Sequence, residues 1–477
     1  MRHQGTARPG EEIPGQRCAR AAAGRDDNAR DSFRDAAVDD AARAVSAEPP
    51  DVHAPPCGFA YVEGELHAEA VPLEDIAARF GTPCYVYSRA AIESAYRALD
   101  DAFADVPHLV CYATKANGNL AVLDVLARMG SGFDIVSAGE LARVLAAGGD
   151  AARTVFSGVG KTEEEMASAL DAGILCFNVE SASELRRLAD VAARKGVRAP
   201  VSFRVNPDVD ARTHPYISTG LKENKFGVPI DEAPALYRDA SVMPSIAVTG
   251  VDMHIGSQIT ELDPYRDAAG RVLALADRLA RDGIRLAHID LGGGLGVRYR
   301  DETPVPLAEY AGVIGDLMRG RRETLLLEPG RRLVADAGVL LTRVTYLKPG
   351  PARNFAIVDA AMNDLLRPSL YEAWHAIDAV RPRAGSTVRW DVVGPVCESA
   401  DFLGHDRPLV VEEGDLLAVR TAGAYGMTMS SNYNARPRAC EILVDGARVH
   451  VARRRERIDD LYAHEARLPD AARTRRA

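Results

Sequence analysis

Lys115 lies in Cys111-Tyr112-Ala113-Thr114-Lys115-Ala116-Asn117, directly after an apolar run at residues 109–113. A lysine at the mouth of a buried strand loses solvation, and that disfavours its charged form. A neutral amine can form a Schiff base with an aldehyde or ketone. Alone, a lysine at a strand end more often snorkels to water. Its companions along the chain change that reading. Gly292-Gly293-Gly294 removes side chains so that backbone N–H groups can approach an anion. Gly330 and Ser257 can complete such a site, although a triplet by itself also suits a tight turn. A lysine for an aldehyde and glycines for a phosphate together point to pyridoxal 5'-phosphate as the cofactor. Glu328 would then partner the pyridine nitrogen and keep the ring a strong electron sink. His254 would stack on the ring face, where the blander alternative is a satisfied core histidine.

These residues need a scaffold that brings them together. Eight short apolar runs, at residues 109–113, 133–136, 154–156, 174–179, 200–205, 248–254, 287–291 and 324–327, alternate with amphipathic stretches. The pattern predicts a (β/α)8 barrel, with a doubly wound open sheet as the main alternative. Barrel active sites form at the C-terminal ends of the strands. Lys115, Asp134, Ser137, Glu140, Arg204, Asn206, His254, the glycine triplet and Glu328-Pro329-Gly330-Arg331 all fall at or beside such ends. After residue 335 the runs at 339–344, 355–358, 388–393, 416–419 and 441–444 predict a mostly β C-terminal domain. Two earlier runs, at 59–65 and 84–87, read as strands joining it. The expected organisation is a disordered tail at 1–56 and an N-terminal strand region at 57–87. A cofactor-binding barrel at 88–335, a β-domain at 336–462 and a flexible tail at 463–477 follow.

Composition narrows the function classes. A net charge of −10 with no basic stripe argues against a nucleic-acid binder. Seven scattered cysteines, without zinc spacing, suggest reduced thiols in the cytoplasm and no metal site. No apolar run is long enough to span a membrane. The segment before Pro56 is rich in Ala, Arg, Asp and Pro and poor in large aliphatics, so it cannot bury enough surface to order itself.

Tyr-Ala-Thr-Lys-Ala-Asn, His-Ile-Gly-Ser-Gln, Leu-Gly-Gly-Gly and Glu-Pro-Gly-Arg resemble the motifs of the alanine-racemase-like barrel class of pyridoxal-phosphate enzymes. Residues 58–461, with long stretches such as 213–227 and 394–401, resemble the diaminopimelate decarboxylase family more closely. The resemblance implies a barrel plus a β-domain, and a homodimer with shared active sites. It implies that Lys115 carries the cofactor and that Arg331, Arg367 and Tyr371 grip the distal carboxylate of the substrate. Cys397 would be a proton donor and Glu398 a ligand for the distal ammonium, both reaching in from the partner subunit. Tyr425 would touch cofactor and substrate. Met253 and Met427-Thr428 depart from the usual family pattern, but none is a motif residue. The implied reaction converts meso-2,6-diaminopimelate to L-lysine and carbon dioxide. The nearest alternative is another basic amino-acid or carboxylated-polyamine decarboxylase on this fold. A racemase, which avoids a strong electron sink, and a silent cofactor carrier are further from the pattern.

Overall fold

The eight apolar runs are continuous because their strands are buried on both faces, inside the barrel and beneath its helices. The computed structural model describes residues 58–210 and 225–468. The expected N-terminal tail, most of the 213–227 stretch and the last nine residues of the chain lie outside them.

The barrel strands are His108–Ala113, Gly132–Ile135, Thr154–Phe156, Cys176–Val179, Ala199–Asn206, Ile246–Asp252, His288–Asp290 and Thr324–Leu327. Each pairs in parallel with its neighbour, and the last closes on the first through Leu325↔His108, Leu326↔Leu109 and Leu327↔Val110. The sheet is therefore a closed ring, and the open-sheet alternative falls away. Helices between the strands start where side chains can satisfy their free N–H groups. Thr162 Oγ1 accepts from Glu165 N while Glu165 Oε2 accepts from Thr162 N, a reciprocal cap on Glu163–Ala172. Ser137 and Ser181 cap their helices through their own hydroxyls. Such caps set each helix directly after a strand end, which fixes the loops that carry the site.

Most strand boundaries fall within one residue of the sequence reading, and two strands, the fourth and the sixth, differ by two. The fourth strand begins at Cys176 because Gly173 (φ 71°) ends the helix and the next residue still bonds back to Ala169 O. The sixth strand stops at Asp252, so His254 stands on the loop that follows.

The β-domain is built on one long strand, Gly338–Lys348. Its first half pairs with Cys84–Ser88 and Leu416–Val419, and its second half with Phe355–Val358. Cys84–Ser88 is buried throughout and also pairs with Cys440–Asp445. The earliest run behaves differently. Phe59–Val62, Glu65–Ala68 and Val71–Pro72 form a separate three-stranded sheet rather than extending the large one. Its Phe59 and Leu66 pack on Val339, Leu341 and Ile442 of the β-domain. Barrel and β-domain meet behind Lys115: Tyr425 N donates to Ala116 O at 2.8 Å, and Asn117 Nδ2 to Gly423 O at 3.0 Å. Gly423 has no room for a side chain, since a Cβ would lie 1.9 Å from Val334 O.

Candidate active site

Lys115 sits in the short turn after the first barrel strand, with its Nζ 2.5 Å from Asp134 Oδ2 on the second. Asp252 and Asp290 end the sixth and seventh strands, and Glu328 follows the eighth. Carboxylate oxygens of Asp252, Asp290 and Glu328 lie within 4.8 Å of one another. All are buried, and Asp134 Oδ1, Asp252 Oδ1 and Asp290 Oδ2 have no hydrogen-bond partner among the described residues. Burial, reinforced by Asp134 and Asp290, pushes Glu328 well above the usual carboxylate range. Asp290 is pushed up to about 7, again chiefly by burial. The floor of the cleft is thus a crowd of acids, of which Asp252, Asp290 and Glu328 are pushed toward their protonated forms, and a cation would relieve it.

This floor corrects the expectation for Lys115. Burial does pull its pKa down, but Asp134 and Glu328 outweigh that effect and hold the amine in its ammonium form. About a third of the side chain faces the open cleft, although protein surrounds it densely on the other sides.

The cleft encloses about 700 Å³ and brings together Lys115, His254, Ser257, Arg331, Arg367, Tyr371 and Tyr425. Gly293 N donates to His254 Nδ1 at 3.3 Å. Burial, with Arg204 and Lys115 nearby, keeps His254 neutral. The glycine triplet is first of all a packing requirement. A Cβ on Gly292, Gly293 or Gly294 would lie 2.4, 2.0 or 2.4 Å from Met253 O, Glu328 O or Gly256 O. The three loops can therefore nest only without side chains here, which leaves backbone beside Ser257 and His254. A Cβ on Gly330 would press on Ala116 at 3.0 Å, next to Lys115.

At the rim, Arg331 Nη1 donates to Tyr299 Oη at 2.6 Å and its Nη2 to Ser257 Oγ at 3.0 Å. Its guanidinium also lies over the Tyr425 ring, 4.8 Å from the centroid. Tyr425 holds a left-handed backbone (φ 56°), fixed by its bond to Ala116 O. The Arg367 guanidinium lies 4.4 Å from the Tyr299 centroid. Arg331 and Arg367 are both more than nine-tenths buried, and among the described residues neither is ion-paired with a carboxylate. Tyr299 links the two arginines but was not singled out from the sequence; its place five residues after the glycine triplet is the only hint. Asp134 was noted on its strand but not as the partner of Lys115.

Cys397 and Glu398 do not join this cleft within the chain. Cys397 is exposed, with its N–H on Asn434 Oδ1 at 2.9 Å, and Glu398 accepts from the Tyr433 hydroxyl at 2.5 Å.

A lysine and a buried acid floor at the mouth of a (β/α)8 barrel, with a β-domain closing the back, define a pyridoxal-dependent decarboxylase. The family model for the pyridoxal-dependent decarboxylase pyridoxal-binding domain matches residues 89–335. Within that class the chain belongs to the diaminopimelate decarboxylase family. The diaminopimelate decarboxylase of Pseudomonas aeruginosa is 63% identical over 411 residues, spanning 86% of this chain and 99% of that protein. That of Vibrio cholerae is 58% identical over 414 residues, spanning 86% and 99%. The crystal structure of diaminopimelate decarboxylase from Helicobacter pylori complexed with L-lysine superposes with a TM-score of 0.80. It is 44% identical, with 82% of this chain and 99% of that one covered. Among the described residues no helix is long and apolar enough to cross a membrane.

Proposed function

We propose that this cleft decarboxylates meso-2,6-diaminopimelate to L-lysine and carbon dioxide, the last step of lysine biosynthesis, with pyridoxal 5'-phosphate held on Lys115. The observation that carries this reading is the opposite polarity of the two ends of one cleft. The floor has carboxylates in excess, and the rim has two buried guanidinium groups without carboxylate partners among the described residues. A ligand with a cationic group at one end and a carboxylate at the other satisfies both.

The residues present fit the cofactor. Glu328 would hold the protonated ring nitrogen, and the unpartnered oxygens of Asp252 and Asp290, clustered with the Glu328 carboxylate, would add negative charge beside it. Ser257, the triplet Gly292–Gly294 and Gly330 would hold the phosphate, with Arg331 beside Ser257 adding positive charge. When bound, pyridoxal phosphate supplies an electron sink for the pair released as the carbon–carboxylate bond breaks. Asp134 holds the Lys115 Nζ at 2.5 Å, so the same amine would give or take a proton beside that carboxylate. Neutral His254 offers an uncharged face to the cofactor. Arg331, Arg367 and Tyr371, which line the cleft together, would grip the distal carboxylate of the substrate. Because the product is L-lysine, the gripped centre is the one that keeps its carboxylate, and the other end is left over the floor.

Cys397 and Glu398 would come from the second subunit of a homodimer. Cys397 would return a proton to the substrate carbon and Glu398 would bind the distal ammonium. Their separation from Lys115 within the chain supports this reading. A cytoplasmic enzyme with reduced thiols is the matching location. The alternative substrate class, such as ornithine, lacks a distal carboxylate and would leave Arg367 buried without a counter-charge. Carbon dioxide release from labelled meso-diaminopimelate, ornithine and arginine tests the choice. Turnover of ornithine or arginine above diaminopimelate would overturn it.

A further inference from the structure

We infer that His375 is a positioning residue that aims Arg367 at the distal carboxylate of the substrate. The inference rests on assigning Arg367 to that carboxylate. His375 lies eight residues after Arg367, beyond the short helix Arg367–Tyr371, and is completely buried. Its Nδ1 is 2.8 Å from Arg420 O. A carbonyl can only accept, so Nδ1 carries the ring proton and Nε2 keeps its lone pair. That lone pair accepts from Arg367 Nη1 at 3.0 Å. Burial, helped by the Arg367 charge, pulls His375 down to about 3, so the ring stays neutral and the acceptor is always present.

The support is two-sided. The Tyr299 ring meets His375 edge-on, with centroids 5.1 Å apart, and also lies 4.4 Å from the Arg367 guanidinium. Arg367 is thus held by a lone pair at one nitrogen and by an aromatic face, and both of these partners are uncharged. A carboxylate in either place would quench the arginine. A neutral acceptor fixes its direction and leaves its charge for the ligand. Histidine held in this tautomer by a backbone carbonyl achieves that, because the carbonyl comes from Arg420, a residue just past the strand Leu416–Val419 whose own N–H is fixed on Ala376 O at 2.8 Å.

L-Lysine and 1,5-diaminopentane give a direct test, since they differ only by the distal carboxylate. Both would be titrated into the cofactor-loaded enzyme by calorimetry. For His375→Phe, which keeps a ring of similar size but has no acceptor, L-lysine affinity should fall roughly 10- to 100-fold. Diaminopentane affinity should stay within about threefold. KM for meso-diaminopimelate should rise with little change in kcat. His375→Gln restores an acceptor and should recover most of the lysine affinity; if His375→Phe does not fold, His375→Ala with and without added imidazole makes the same comparison. Equal loss for both ligands, or loss for neither, would overturn the positioning role. Arg367→Ala is the control: if it too spares the lysine-to-diaminopentane ratio, the carboxylate assignment fails first and takes this inference with it.

Discussion

The floor and the rim of the cleft solve opposite electrostatic problems with different materials. The floor gathers Asp134, Asp252, Asp290 and Glu328 from separate barrel strands, and Lys115 answers them with a positive charge paired to Asp134. It relieves the crowding by biasing Asp252, Asp290 and Glu328 toward their protonated forms. The rim gathers Arg331 and Arg367, and answers them with neutral partners: Tyr299, Ser257, Tyr425 and His375. Carboxylates can shed charge by taking up a proton within the physiological range. Arginine cannot give one up there, so its neighbours must be hydroxyls and π faces. The floor is therefore suited to groups whose protonation changes during a reaction, and the rim to a carboxylate whose charge stays fixed.

Removing the lysine of the floor is the severest way to break this division. Lys115→Ala should lower kcat about a thousandfold or more, because it would remove both the proposed covalent attachment and a proton carrier. Purified wild-type protein should be yellow and the variant should lose or shift its visible band. An unchanged spectrum would put the attachment point elsewhere in the chain. At the rim, Arg367→Ala should cost about 2–5 kcal/mol in kcat/KM for meso-diaminopimelate, roughly 30-fold to several thousandfold. The variant should keep its visible band, since Arg367 belongs to the other end of the cleft. Near-normal turnover would mean that the substrate carries no distal carboxylate.

How far these two regions were legible in the sequence follows from how each is built. Strands buried on both faces read as unbroken apolar runs, and for that reason all eight barrel strands stood out. Phe402–Leu409 in the β-domain did not, because Gly404, Asp406 and Pro408 interrupt it. Of the floor residues, Asp134 and Glu328 were visible as polar interruptions at strand ends, whereas Asp252 and Asp290, the last residues of their strands, were missed. The effect of the floor on Lys115 was not visible, because burial is a local property of one strand, whereas the opposing charge comes from other strands. The rim was less legible still. Tyr299 lies 32 residues before Arg331, and His375 lies eight after Arg367 but beyond the end of the helix Arg367–Tyr371, so no single helix or strand joins either pair. Arg331 stood at a strand end, but Arg367 and Tyr371 were reached only through family motifs.

A third test asks whether the rim is completed across a dimer. Lys115→Ala and Cys397→Ala homodimers should each be nearly inactive. After subunit exchange at equal concentration, about half of the dimers are mixed, and each of these has one site with both residues intact. Activity should then recover to about a quarter of wild type. Exchange verified by mass without recovered activity would assign Cys397 to its own subunit or to no catalytic role.

The smallest expected effect concerns the protons stored in the floor. Asp290 is pushed up to about 7 in the folded chain, mainly by burial, against about 3.9 for an unfolded aspartate. Between these values the folded state binds more protons than the unfolded state. Stability linked to Asp290 is therefore full below about pH 4 and is lost as the pH rises through about 7. An asparagine in its place would imitate the protonated acid. The amide carbonyl can still accept from Gly292 N, as Asp290 Oδ1 does at 2.8 Å, and the amide nitrogen can donate to Glu328. In Asp290→Asn stripped of cofactor, the melting temperature relative to wild type should rise from pH 5 to pH 8 by on the order of 2–4 °C. Comparing the cofactor-loaded proteins sharpens the contrast, because a bound ring cation would draw the floor acids back into their charged forms and shrink the difference. A gap between variant and wild type that stays constant with pH would show that Asp290 is ionised throughout. The acidic floor would then be held by counter-charge, as the rim would be with its ligand bound, and the distinction between the two ends would fail at this residue.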